Sequence, residues 1–288
     1  MVLPRFEYLA PKTVAEACSL LSQYGKAAQI IAGGTDLLVK MKDKELAPQY
    51  VVGLKGIANL DYIDYNDRDG LRIGALTTNE SISGSAVIKD RFGLLSKAAA
   101  TIGTPQIRNM GTIGGNLCNA APSADTAPPL IALGAKVKLV SSKGKRIVPL
   151  EEFFTGPGKT VLQTDELLAE ILVPKPSPGT RGIYLKLFPR GAVDIAAVGV
   201  AALLTLGQDG ICKDARIVLG AVAPTPMRAT RAEAKIKGKP GKNGVIEEAA
   251  EIAAEESRPI SDVRCSADYR REMVKVLTRR VLTQCFSR

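Results

Sequence analysis

The chain has 288 residues, enough for one large domain or two ordinary ones, and its 45% hydrophobic and 24% charged residues are those of a globular protein. There is no histidine, and five scattered cysteines (Cys18, Cys118, Cys212, Cys265, Cys285) form no C-x-x-C, which excludes the usual zinc and iron–sulfur patterns and the Ser-His-Asp and Cys-His catalytic arrangements; no metal and no catalytic side chain is expected here. The net charge of +10 comes with 5% aromatic residues and no tryptophan, so nucleic acid is not an expected partner.

Along the chain, a strand is expected at Phe6–Leu9, then a helix from Val14 to Tyr24. Thr13-Val14-Ala15-Glu16 is a capping box, with Thr13 accepting from the amide three residues on and Glu16 reaching back, and Gly25 ends the helix. Ala28–Ala32 reads as a short apolar strand running into Gly33-Gly34, and Val51–Leu54 as another. Strands at Tyr62–Tyr65 and Leu71–Ala75 precede helices starting near Thr78 and Arg91. A glycine-rich connection, Gly103–Asn119, leads to a helix near Ser123 or Asp125, and strands follow at Ala135–Val140, Arg146–Val148 and Leu168–Val173.

Pro174 to Gly179 contains Pro174, Pro176 and Pro178 and continues neither a helix nor a strand, so a domain boundary is expected there, giving 1–176 and 177–288. The second region holds strands at Gly182–Leu187, Ile195–Leu206 and Cys212–Ala221, then helices at Asn243–Glu256 and Ala267–Cys285. The last helix is expected to turn Tyr269, Met273, Val276, Leu277 and Val281 inward, opposite Arg270, Arg271, Lys275 and Arg279. The basic cluster Arg228, Arg231, Lys235, Lys237, Lys239 and Lys242, with Glu233 its one acid, reads as a solvated or partner-facing surface. No apolar run approaches the ~18 residues of a membrane-spanning helix, and Met1 to Phe6 lacks a basic region followed by an apolar one, so a cytoplasmic protein is expected.

Two loops carry the chemistry. Ile30-Ile31-Ala32-Gly33-Gly34-Thr35-Asp36-Leu37 is a strand entering a double glycine, which either presents amide N–H groups to an anion or is simply a turn. Thr112-Ile113-Gly114-Gly115-Asn116 is a second loop of the same character, flanked by Arg108, Asn109 and Asn119. Neither is G-x-G-x-x-G, and Gly158-Lys159-Thr160 lacks the glycine that a Walker sequence needs.

In their spacing, and with Leu117-Cys118-Asn119-Ala120-Ala121-Pro122-Ser123-Ala124-Asp125 after the second, these loops resemble those of the FAD subunits of the xanthine dehydrogenase and aerobic carbon monoxide dehydrogenase family. The resemblance runs from Pro4-Arg5-Phe6-Glu7-Tyr8 through Tyr184-Leu185-Lys186 and Asp194-Ile195-Ala196 to the C-terminal region. It implies an α+β chain: a two-lobed FAD-binding domain of the vanillyl-alcohol-oxidase (PCMH) type, with lobes about 1–56 and 57–176, then a smaller α+β domain with an antiparallel sheet, of the CO dehydrogenase flavoprotein C-terminal type. It also implies FAD contacts from Ile30–Leu37, with Gly33, Gly34 and Thr35 at the pyrophosphate, and from Thr112–Asn116. Asp125 matches an aspartate contacting FAD, Leu168 an apolar contact, Lys186 a lysine near the flavin, and Ile195 a residue close to its ring.

Ile102 stands where animal xanthine dehydrogenases place an aromatic residue on the cofactor, so nicotinamide use is not supported there. No cysteine-rich insertion follows the second loop, which sets aside the 4-hydroxybenzoyl-CoA reductase branch. The partners implied are a large subunit with a molybdenum cofactor and a small subunit with 2Fe-2S clusters, in a dimer of heterotrimers, with electrons leaving through this chain's FAD to an external acceptor. A self-contained flavin oxidase of the vanillyl-alcohol-oxidase type is the alternative, disfavoured by the missing histidine and the short C-terminal region.

Overall fold

Three main sheets organise the chain, which a computed structural model describes over residues 3–189 and 193–287. The first comprises β1 (Glu7–Leu9), β2 (Ala28–Ile31) and β3 (Tyr50–Gly53), in the order β1-β3-β2 with both pairings parallel. Helix α1 (Val14–Tyr24) connects β1 to β2 and buries Ala17, Cys18 and Leu21 in a cluster with Val52 and Leu54. Its cap forms as expected at Thr13, whose Oγ1 accepts from the Glu16 N–H at 3.1 Å, while the Glu16 carboxylate reaches one residue further back, to the Lys12 N–H at 2.7 Å. A short helix, α2 (Leu37–Lys42), follows the first glycine loop where only an anchored loop is expected.

The second sheet is antiparallel, in the order β4-β5-β10-β6-β7. After β4 (Ile63–Asn66) and β5 (Gly70–Gly74) come six short helices: α3 (Asn79–Gly84), α4 (Ala86–Arg91), α5 (Gly93–Ala100), α6 (Pro105–Met110), α7 (Ile113–Asn119) and α8 (Ala127–Ala132). Then follow β6 (Lys136–Ser141), β7 (Gly144–Pro149), a small hairpin of β8 (Phe154–Gly156) and β9 (Lys159–Thr160), and β10 (Leu167–Val173). The helix expected to start near Arg91 is α5, which begins at Gly93 after an additional helix, α4, and the one expected near Ser123 or Asp125 begins at Ala127. Helices α6 and α7 occupy the expected glycine-rich connection. Both are capped by threonine: Thr104 Oγ1 accepts from Ile107 N–H at 3.3 Å and Thr112 Oγ1 from Gly115 N–H at 3.1 Å.

The third sheet, β11 (Thr180–Leu187), β12 (Val198–Leu206), β13 (Cys212–Gly220) and β14 (Met227–Arg228), is antiparallel in chain order. Its strands are apolar on both faces because both are covered. Tyr184, Ala201 and Val218 join the core formed by α3, α5, α7, α8 and the second sheet, whereas Ile183, Val200, Ala202 and Ile217 pack under α9 (Thr230–Ile236), α10 (Asn243–Glu256) and α11 (Ala267–Ser287). Strand β12 starts at Val198, so Ile195 lies before the strand expected to hold it.

Helix α11 corrects the expected facing of its residues. Arg270, expected outward, is buried, and Tyr269, expected inward, is exposed. The guanidinium is repaid by the Ala197 and Ala221 carbonyls, each at 2.9 Å, and by Asp262 at 2.8 Å, where β12 and β13 leave main-chain acceptors unpaired. Burial pushes the Asp262 carboxyl up, but the Arg264 N–H and the Arg270 guanidinium outweigh it and hold it at about 2. A lowered carboxylate stabilises the fold above its ordinary value of roughly 4, and the contribution is lost as pH falls toward about 2. Urea midpoints should therefore separate the native chain from Asp262→Asn at neutral pH and converge as the pH falls through that window.

Candidate functional site

A cavity of about 850 Å³ lies between the first sheet and the helices over the second, a volume in the usual range of cofactor sites. Both glycine loops line it. The first also packs against the segment leading into the second, because a methyl group on Gly33 would overlap the carbonyl oxygen of Met110 at the end of α6. Gly34 adopts φ +74°, a conformation that favours glycine. Beyond it, among the described residues, the N–H groups of Gly33, Gly34, Thr35 and Asp36 have no acceptor. These are donors at the entrance to α2, suited to an anion.

The second loop behaves differently. Ile113 N–H donates to Thr77 O and Gly114 N–H to Ala75 O, both at 2.9 Å, while Gly115 N–H is taken by Thr112 Oγ1. With Asn116 N–H donating to Thr112 O at 2.9 Å, four of its five amides are therefore spent within the protein. What its glycines supply is proximity: a Cβ on Gly114 would stand 2.6 Å from Ala75 O, so only glycine lets α7 lie against the end of β5.

Of the residues singled out in the sequence, the structure brings Ile30, Ala32, Gly33, Gly34, Thr35, Asp36, Leu37, Ile102, Thr112, Gly114, Gly115, Asn116 and Leu168 to this cavity. Ile31 and Ile113 do not line it; Ile31 is paired in β2 and Ile113 is fully buried beneath the second loop. Ile195 is half exposed and away from the cavity wall. Asp125 and Lys186 lie outside the lining, joined to each other.

Asp125 and Lys186 form a buried pair, Nζ to Oδ2 at 2.7 Å with side chains 2% and 9% exposed for the lysine and aspartate respectively. The other carboxylate oxygen accepts from Tyr184 OH at 2.9 Å, and Lys186 Nζ also donates to Thr101 O at 3.0 Å, next to cavity-lining Ile102. Burial pushes the Asp125 carboxyl up, opposed by the Lys186 charge and by the Tyr184 hydrogen bond. The Tyr184 phenol is itself pushed far up by burial and by Asp125. Arg108 holds the same turn from the other side, with NH1 at 3.5 Å from Ile102 O and 3.3 Å from Gly103 O, and is anchored on Glu80 at 2.7 Å. Three successive carbonyls thus rest on two cations.

Three cavity residues carried no prior expectation as ligands or were noted only in passing. Asn79, 2% exposed, donates through Nδ2 to Gly111 O at 2.9 Å, which leaves its Oδ1 buried with no partner. Lys40 Nζ donates to Asn119 Oδ1 at 2.7 Å, and Asn119 Nδ2 donates to Asp36 Oδ1 at 2.9 Å, a chain that joins α2 to the end of α7. The sequence signal for Lys40 was its position four residues after Asp36, visible only once α2 is known to be helical.

The basic cluster at Arg228–Lys242 is largely neutralised within the protein. Arg228 pairs with Glu233 at 2.6 Å, Arg231 with Glu255 at 3.0 Å, Lys237 with Asp214 at 3.1 Å, and Lys235 with Glu248. Among the described residues no group of histidine, cysteine and acidic side chains could hold a metal ion, and no helix is long and apolar enough to cross a membrane.

Comparison with known proteins gives a consistent neighbourhood. Residues 4–176 match a family described as the FAD binding domain in molybdopterin dehydrogenase, and residues 183–285 match the CO dehydrogenase flavoprotein C-terminal domain. The chain is 33% identical to the xanthine dehydrogenase FAD-binding subunit of Escherichia coli O157:H7, over 96% of this chain and 94% of the relative. It is 35% identical to the carbon monoxide dehydrogenase medium chain of Hydrogenophaga pseudoflava, over 100% of this chain and 99% of the relative. A solved structure of carbon monoxide dehydrogenase from the same organism, lacking the Mo-pyranopterin moiety of the molybdenum cofactor, superposes with a TM-score of 0.94 at 37% identity, covering 98% of each chain.

Proposed function

This chain belongs to the family of FAD-binding subunits of molybdopterin dehydrogenases, and from that premise we propose that its one FAD lies in the cavity where the two glycine loops meet. The protein is an oxidoreductase component, the FAD-binding electron-transfer subunit of a molybdenum hydroxylase. The observation that carries the assignment of the cavity is the row of unpaired N–H groups at Gly33, Gly34, Thr35 and Asp36 facing a space of about 850 Å³. The residues present fit the group: donors for a pyrophosphate, a close contact of loops that a Cβ would fill, and an unpartnered buried acceptor on Asn79.

In this reading Gly33, Gly34, Thr35 and Asp36 bind the pyrophosphate, with Ile30, Ala32 and Leu37 shaping that wall. Thr112, Gly114, Gly115 and Asn116 form the opposite wall, set by the buried Ile113, and Ile31 fixes the strand that delivers the first loop. Leu168 and Ile102 are the apolar contacts. Lys186 and Asp125 bring a neutralised pair up to the turn that carries Ile102. FAD, when bound, supplies the acceptance and return of electrons; the chain's own residues bind it, orient it and exclude water.

The division of the chain that follows is 1–176 for the FAD-binding domain, with lobes about 1–56 and 57–176, and 177–288 for the C-terminal domain. The proline run after β10 supports it. The partners we assign are a large subunit with the molybdenum cofactor and a small subunit with 2Fe-2S clusters, as a dimer of heterotrimers, supported by the medium-chain relative. The test is purification of the complex from its native host. Two further subunits should accompany the chain, and xanthine, nicotinate, glyceraldehyde or carbon monoxide, added without oxygen, should bleach the flavin only in the intact complex. A lone chain that oxidises substrate with oxygen would instead establish the self-contained flavin oxidase.

A further inference from the structure

The cavity lining carries three acids against two lysines, so an anionic dinucleotide there calls for a placed cation. Its charged lining residues are Lys26, Asp36, Lys40, Glu45 and Glu166, and Asp36 stands at the end of the loop whose amides are free. Glu166 is engaged by Arg146 at 2.7 Å. Among the described residues no cation pairs with Asp36 directly; it accepts from Asn119 Nδ2 at 2.9 Å, and the other end of that amide accepts from Lys40 Nζ at 2.7 Å. The asparagine therefore holds the lysine beside the carboxylate.

Lys40 lies on α2, the helix that begins where the first loop ends. Side chains on a helix lean toward its N-terminus, so Lys40 is carried back along α2 toward Asp36 and the loop. An ammonium has three donors and Asn119 occupies one, leaving two for a ligand. Lys89, exposed on α4 and outside the cavity lining, is a lysine with no place at this site.

We propose that Lys40 is the counter-ion for the pyrophosphate of the bound dinucleotide, pre-positioned by Asn119 and Asp36. This rests on the cavity being the FAD site. Asn119 sits at the end of α7 and Lys40 on α2, so the tether also closes one side of the cavity between its two walls. With four of the second loop's five amides spent, the first loop and Lys40 together supply the charge complement that the phosphates need.

The test is a titration of the full-length chain, wild type and variants, followed by flavin fluorescence. Lys40→Met should weaken FAD binding by about ten- to a hundredfold, the loss of a charge-assisted hydrogen bond, and the gap should narrow as salt is raised. Lys40→Arg should stay within a few-fold of wild type, Lys89→Met should have little effect, and riboflavin, which lacks phosphate, should bind all variants alike. Unchanged FAD affinity in Lys40→Met, an equal loss for riboflavin, or an equal loss in Lys89→Met would each overturn the proposal. Should the wild type bind no FAD, the cofactor reading fails separately. Inorganic pyrophosphate must then still raise the melting temperature of wild type and not of Lys40→Met, and its failure to do so overturns Lys40 as the anion's counter-ion.

Discussion

Gly33→Ala should abolish FAD binding, raising the dissociation constant at least about a hundredfold, and lower the unfolding free energy by about 3 kcal/mol. The added methyl meets the Met110 carbonyl and the Gly111 backbone rather than a flexible side chain. Relief therefore requires the first loop or the segment leading into the second to move. Either movement disperses the unpaired donors of Gly33, Gly34, Thr35 and Asp36. Gly84→Ala is the matched control, since a methyl there meets nothing within 4 Å at the end of α3. It should leave both FAD affinity and the urea midpoint near wild type. Wild-type affinity in a folded Gly33→Ala chain would remove the contact between loops from the account of the site.

Lys186→Met should cost about 4 kcal/mol at neutral pH, because it strands a charge in the interior. Asp125 would keep its bond from Tyr184 at 2.9 Å but lose the ammonium at 2.7 Å. Burial already pushes this carboxyl up and Lys186 pulls it down, so removing the lysine raises it further. In the unfolded chain the same group titrates at roughly 4. Between those two values the folded variant holds a proton that the unfolded chain has released, so the variant's stability falls as pH rises. The deficit against wild type should consequently be small near pH 4 and full at neutrality, measured by urea unfolding across that range. A deficit independent of pH would mean that packing, not the charge pair, is what the substitution removes.

Much of the site was legible because it rests on local chemistry. Gly33 and Gly34 after an apolar strand, and Gly114 and Gly115 after a threonine, mark places where backbone must come close to something, and both pairs reach one cavity. The capping threonines were equally readable at Thr13 and could have been at Thr104 and Thr112, where glycine content masked two short helices. The roles of the two loops were not legible. A glycine pair looks alike whether its amides are free, as after Ala32, or spent on Ala75 and Thr77, as after Thr112.

Pairings distant in the chain were likewise beyond reach. Lys186 finds Asp125 across 61 residues, Arg270 finds Ala197 across 73, and both appear in sequence as ordinary surface charges. The apolar run in β12 announced burial correctly, yet only the packing shows that one face serves the C-terminal helices and the other the central core. Asn79 illustrates the limit most clearly. Its unpartnered oxygen is a property of where Gly111 lies, not of the residues around it in sequence.

The central claim, that one FAD lies where the two glycine loops meet, is tested most directly by amide hydrogen exchange of the full-length chain with and without FAD. The free N–H groups of Gly33, Gly34, Thr35 and Asp36 should exchange rapidly in the unliganded protein and become protected by FAD, together with the Thr112–Asn119 segment that faces them. Helix α10, remote from the cavity lining, should be unchanged. Saturating FAD that leaves the first glycine loop exchanging as before, or that protects a different surface, would contradict the assignment.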